Sequence, residues 1–134
     1  MDNIENKSND ATPQRPEGER TLNAPLVEMN LFEFMEQIKN EPTWTDSDRN
    51  SITIFKSDAM RIVLIGLRQN AELKPHKANG TISVQVLEGK IKFATEYQST
   101  QIEKGQMITL HPNLTHSVEA LTESFFLLTL VTKQ

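Results

Sequence analysis

The sequence predicts an all-β domain, a small barrel or sandwich carrying one short helix and preceded by a disordered tail. Three observations lead there. Beyond Trp44 the chain is a succession of short apolar runs separated by turn residues, only one stretch shows helical periodicity, and the composition changes abruptly near Asn23. At 134 residues the chain is long enough for a single hydrophobic core and too short for two, so one site is expected.

Taken in order, residues 1–24 are rich in Asn, Asp, Glu, Arg and Pro with few aliphatics. That is too little apolar surface to offset the entropy of ordering them, and a disordered tail is expected, with the domain running over 25–134. Leu31, Phe34, Met35 and Ile38 then fall at i, i+3, i+4 and i+7, one face of a helix. Asn30 is its expected cap, with Glu33 where a carboxylate favours the positive end of the dipole, and Asn40 and Pro42 its stop. A short amphipathic helix of this kind packs on a core as a lid, and Trp44 after it reads as core or edge packing. The expected strands are Ile52–Phe55, Met60–Leu67, Thr81–Leu87, Lys90–Ala94, Gln98–Ile102, Met107–Leu110, His116–Ala120 and Ser124–Thr132. Ser57-Asp58 and Glu88-Gly89 supply the first hairpin turns.

Composition excludes several functions. A net charge of −4 with no basic cluster gives no nucleic-acid surface, and no cysteine means no disulfide, thiolate site or thiol nucleophile. The start of the chain lacks the apolar core of a secretory signal, and the longest apolar runs are far below the roughly 20 residues that span a bilayer, so neither is a membrane segment and the cytoplasm is the expected location. Ser117 adjoins His116, but consecutive strand residues point to opposite faces and cannot form a nucleophile–base pair. The five glycines are scattered and form no phosphate-cradling loop. No residue is assigned a catalytic role.

All three histidines fall in two spaced units. Asn70, five residues before His76, occupies a turn position suited to a residue tolerant of positive φ, and Gly89 closes the following hairpin. Gly105 opens a second unit that runs through the turn His111-Pro112-Asn113 to His116.

In this register the sequence resembles the cupin superfamily. Its first motif, Gly, five residues, His-x-His, three or four residues, Glu, six residues, Gly, is met in spacing by Asn70, His76, Ala78, Ile82 and Gly89. Its second, Gly, five residues, Pro-x-Gly, two residues, His, three residues, Asn, is met by Gly105, His111-Pro112-Asn113, His116 and Ala120. The resemblance covers roughly Ile52 to Val131. The text His76-Lys77-Ala78-Asn79-Gly80-Thr81 and Val86-Leu87-Glu88-Gly89 looks like that of small single-domain cupins of unassigned function, which keep one His per motif. It implies the cupin double-stranded β-helix, a jelly-roll barrel, and a homodimer.

In metal-bearing cupins the His pair and Glu of the first motif and the His of the second converge inside the barrel. Here His76 and His116 match ligand positions, while Ala78 and Ile82 replace a His and the carboxylate. A catalytic transition metal generally wants three protein ligands, and an apolar wall disfavours a divalent charge. His111, at the barrel mouth, completes a trio only by swinging inward, and Glu119 lies on the opposite strand face from His116. The expected site is therefore His76, His116, Ala78 and Ile82, binding a small molecule without a cofactor. The alternative is a metal-dependent oxygenase or isomerase in which His76, His116 and, weakly, His111 hold a divalent transition metal. A third reading is a purely structural dimer module. The two histidines are expected within about 8 Å of each other, a span for one small ligand or two waters. The late strand poses a separate demand: Phe125, Phe126, Leu127, Leu128 and Leu130 alternate faces, so part of this apolar surface requires cover from the helix or a second chain.

Overall fold

The computed structural model describes residues 22–132; the rest of the expected tail and the last two residues lie outside them. Helix α1 spans Leu31–Asn40, and the Asn30 side chain caps it by accepting from the Glu33 amide at 3.2 Å. A one-turn helix, α2 (Pro42–Asp46), follows directly and contains Trp44. Sequence periodicity misses it because five residues are too few to show a period; Pro42 in its first turn is the local signal, since the fixed φ of proline suits the start of a helix. Leu22, grouped with the tail by composition, is fully buried, and its carbonyl accepts the Lys56 amide at 3.3 Å. A single leucine in a polar stretch is enough to dock when a strand edge stands open beside it.

Nine strands follow: β1 (Arg49–Lys56), β2 (Met60–Leu67), β3 (Glu72–His76), β4 (Gly80–Glu88), β5 (Lys90–Thr95), β6 (Ser99–Glu103), β7 (Met107–Leu110), β8 (His116–Ala120) and β9 (Ser124–Thr132). Eight match the expected strands. The ninth, β3, carries Glu72, Lys74 and Pro75, which read as a loop. It forms because it is an edge strand, bonded only to β8, where proline's missing N–H costs no ladder bond.

Two antiparallel sheets result, ordered β1-β2-β9-β4-β7 and β3-β8-β5-β6. Their facing sides enclose one core, including Ile82, Val84, Val86, Ile91, Phe93, Val118 and Phe126. The outer face of the larger sheet carries a second cluster, in which Ile52, Ile54, Leu64 and Phe125 pack against Met35 and Ile38 of α1 and against Trp44. Strand β9 serves both: Phe125 and Leu127 face the helices, while Phe126, Leu128 and Leu130 face the barrel. The helical layer therefore supplies the cover that the late strand demands. Trp44 stacks on Phe125 at 5.4 Å between ring centres, with the Arg68 guanidinium 5.2 Å from the indole ring centre and bonded to the Trp44 carbonyl at 2.8 Å.

The four positions at which the two spaced units call for glycine all have left-handed backbone: Asn70 (φ 73), Gly89 (φ 85), Gly105 (φ 88) and Asn113 (φ 66). Asparagine stands in for glycine at two of them, as its tolerance of this region allows.

Candidate functional site

The site is built at one end of the barrel, where β3, β5, β7 and β9 finish and β2, β4 and β8 begin. Strand β8 is buried at every second residue, His116, Val118 and Ala120, which makes these its inward face and leaves Ser117 and Glu119 outward. Strand β5 matches it, with Ile91 opposite Ala120, Phe93 opposite Val118 and Thr95 opposite His116.

On the other side of β8, Leu73 pairs with Val118 and His76 with His116. Three residues of β3 thus span two of β8. The extra residue is a bulge at Lys74–Pro75, and without it Pro75 rather than His76 would oppose His116. The bulge turns His76 to the inward face of the sheet. The two imidazoles meet with ring centres 4.3 Å apart and planes tilted by 58°. His116 is buried, with 4% of its surface accessible, whereas His76 sits exposed at the rim. The second face of the His116 environment is Phe93, stacked nearly parallel at 5.5 Å and 12°. The sequence motif does not point to Phe93; only its shared parity with Ile91 on an inward-facing strand could have done so.

Each ring is held in the same way. His76 Nδ1 lies 2.9 Å from the Lys74 carbonyl oxygen, and His116 Nδ1 lies 3.0 Å from the Leu114 carbonyl oxygen. A carbonyl only accepts, so each Nδ1 is the protonated, donating nitrogen, and in each neutral ring Nε2 is left as an acceptor. Burial lowers the His116 pKa from its ordinary 6.5; the Leu114 carbonyl opposes this by favouring the charged ring, and the nearby His76 adds to the lowering.

Ala78 is half-buried and packs against the barrel core. Its carbonyl accepts the Asn113 amide at 2.8 Å, which ties the β3–β4 loop to the β7–β8 turn and so joins the two spaced units at the mouth. Ile82 is 2% exposed, lies between Leu110 of β7 and Leu130 of β9, and belongs to the same core cluster as Phe93. His111 is exposed in the β7–β8 turn. Among the described residues no three His, Asp or Glu side chains gather where they could share a metal ion. The donor set at the mouth is a pair of imidazoles, one short of the three protein ligands that a catalytic divalent metal generally takes.

Compared with solved structures, this arrangement of two sheets superposes on a cupin-2 domain containing protein from Shewanella frigidimarina with a TM-score of 0.62, over 77% of this chain and 93% of that one, at 14% identity. The chain has the cupin fold. A cupin superfamily protein from Desulfitobacterium hafniense gives the same TM-score at 13% identity, over 63% of this chain and 78% of that one. Salicylate 1,2-dioxygenase from Pseudoaminobacter salicylatoxidans superposes with a TM-score of 0.66 at 18% identity; this cupin barrel covers 31% of that enzyme and the match takes in 74% of this chain. No protein-family model and no curated protein matches the chain by sequence. No helix among its described residues is long and apolar enough to cross a membrane.

Proposed function

We propose that this cupin barrel binds a small molecule at its open end without catalysing a reaction, His76 and His116 supplying the polar contacts and Ala78 and Ile82 part of the apolar wall. The observation that carries the reading is the imidazole pair itself: two rings 4.3 Å apart, each oriented through Nδ1 by a backbone carbonyl, with no third metal-binding side chain beside them among the described residues. A few placed polar groups on an apolar surface are the ordinary make-up of a small-ligand site. A cytoplasmic location and a homodimer belong to the same proposal. Native mass spectrometry of the gently purified protein tests it: a retained compound that is lost from a His116→Phe variant is the expected result, and a chain mass with nothing bound across independent preparations counts against it.

One observation favours a second reading, a metal-dependent cupin enzyme of oxygenase or isomerase type. Orientation of an imidazole by a hydrogen bond from its other nitrogen is also how metal-ligating histidines are held. In this reading the remaining donors come from solvent or substrate. Elemental analysis separates the two, because the second requires close to one transition-metal ion per chain.

A further inference from the structure

The backbone bonds that orient the two imidazoles also restrict what they can recognise. A free neutral imidazole offers one donor and one acceptor and accommodates either a hydroxyl or a carboxylate. Here both donors are already spent, His76 Nδ1–H on the Lys74 carbonyl at 2.9 Å and His116 Nδ1–H on the Leu114 carbonyl at 3.0 Å. What remains on each ring is an Nε2 acceptor. A carboxylate, which has only acceptor atoms when ionised, would place lone pairs against lone pairs there. A group that donates is complementary.

The surroundings decide between charged and neutral donors. His116 is buried against the flat face of Phe93, and Val118, the next inward residue of β8, is apolar and buried. Among the described residues no carboxylate joins the histidines in a cluster that could neutralise a bound cation. Bringing an ammonium into such a setting costs far more than bringing in a hydroxyl that keeps its hydrogen bond. The short separation of the rings, 4.3 Å between centres, further suits two donors on adjacent atoms of one molecule.

We propose that the ligand is a neutral hydroxyl compound carrying adjacent O–H groups, one donated to Nε2 of His76 and the other to Nε2 of His116. This rests on the binding reading above and names the class of molecule that it takes. It also assigns specificity to main-chain atoms: the carbonyls of Lys74 and Leu114 exclude carboxylates by fixing which ring nitrogen carries the proton.

The test is long-range proton–nitrogen NMR of histidine-labelled protein at about pH 8, where an ordinary imidazole is neutral. The probes are cis-1,2-cyclohexanediol and, as a matched anion, cis-1,2-cyclohexanedicarboxylate. Expected are Nδ1–H tautomers at His76 and His116, a saturable shift of both Nε2 resonances with the diol, none with the dicarboxylate, and loss of the His116 shift in His76→Phe, a change at an exposed position. Nε2–H tautomers, or saturation by the dicarboxylate alone, overturn the assignment of ligand class and leave the binding reading standing. If neither probe shifts either ring while native mass spectrometry shows a retained compound, the class is again wrong and the reading survives. Absence of both sinks both.

Discussion

His76 and His116 are cross-strand partners on β3 and β8, and they owe that pairing to a one-residue bulge between Leu73 and His76. Regularising β3 with all its residues kept would put the ring of residue 76 on the opposite face, since neighbours on a strand alternate. A variant lacking Pro75 removes the extra residue instead, so His76 falls two places after Leu73, on the same inward face and still opposite His116; it is expected to fold, because β3 is an edge strand, and to keep the His76–His116 ring contact. Cross-peaks between the two imidazoles in a nuclear Overhauser spectrum check it; their loss means that strand parity does not set the pairing.

The lowered pKa of His116 makes stability depend on pH with a definite sign. Burial is the main cause, so the folded protein holds this proton less tightly than the unfolded chain, whose His titrates near 6.5. The unfolded state binds more protons in the interval between the two values, and unfolding free energy rises with pH there. The contribution is complete above 6.5 and is lost as the pH falls through the folded value. As the pH falls from 6.5 through the lower folded value, the melting temperature of wild type should drop more than that of His116→Phe, and parallel pH profiles would count against the assignment.

Replacing Ile82 with Glu restores the carboxylate position of the metal motif in the middle of an apolar cluster. An unpaired buried carboxyl should cost roughly 2–5 kcal/mol. If Ile82 faces the histidines, manganese or iron(II) should reverse much of that loss, since two imidazoles and a carboxylate approximate a facial triad. A loss of stability unchanged by either metal places Ile82 away from the pair. The unaltered protein, by contrast, should purify with well under one transition-metal ion per chain, as measured by elemental analysis.

Gly89 and Gly105 share nearly the same positive φ, 85° and 88°, but not the same surroundings. A Cβ at Gly89 would collide with the Glu123 carbonyl and the Ser124 hydroxyl, whereas at Gly105 nothing lies within 4 Å. Gly105→Ala should lose about 1 kcal/mol, the strain of left-handed backbone alone. Gly89→Ala should lose clearly more, because the obstruction includes main-chain atoms that cannot step aside. Equal denaturant midpoints for the two variants would contradict this.

The readable parts of this sequence were those in which local chemistry and tertiary structure agree. The capped helix, the alternating strands and the four left-handed turn positions each follow from residues that have few alternatives, as with Asn113, whose backbone must turn back to reach the Ala78 carbonyl. Strand β3 was hidden because its residues are polar and its pairing with β8 is set by distant sequence. The meeting of the two histidines follows the spacing of the motif, but the tautomers do not: they depend on the carbonyls of Lys74 and Leu114, and every residue type has a carbonyl. Phe93 was equally invisible as a site residue, because an apolar residue in a strand looks the same in a core and beneath an imidazole.

Leu22 has a bearing on how the protein is handled. Its buried side chain and its bond to the Lys56 amide fasten a piece of chain beside β1, the outermost strand of the larger sheet. An unprotected strand edge is a template on which other chains can pair. A fragment cut just after this residue would keep every strand of the barrel and still lose part of its guard against aggregation, so shortening the chain for crystallisation should stop before Leu22.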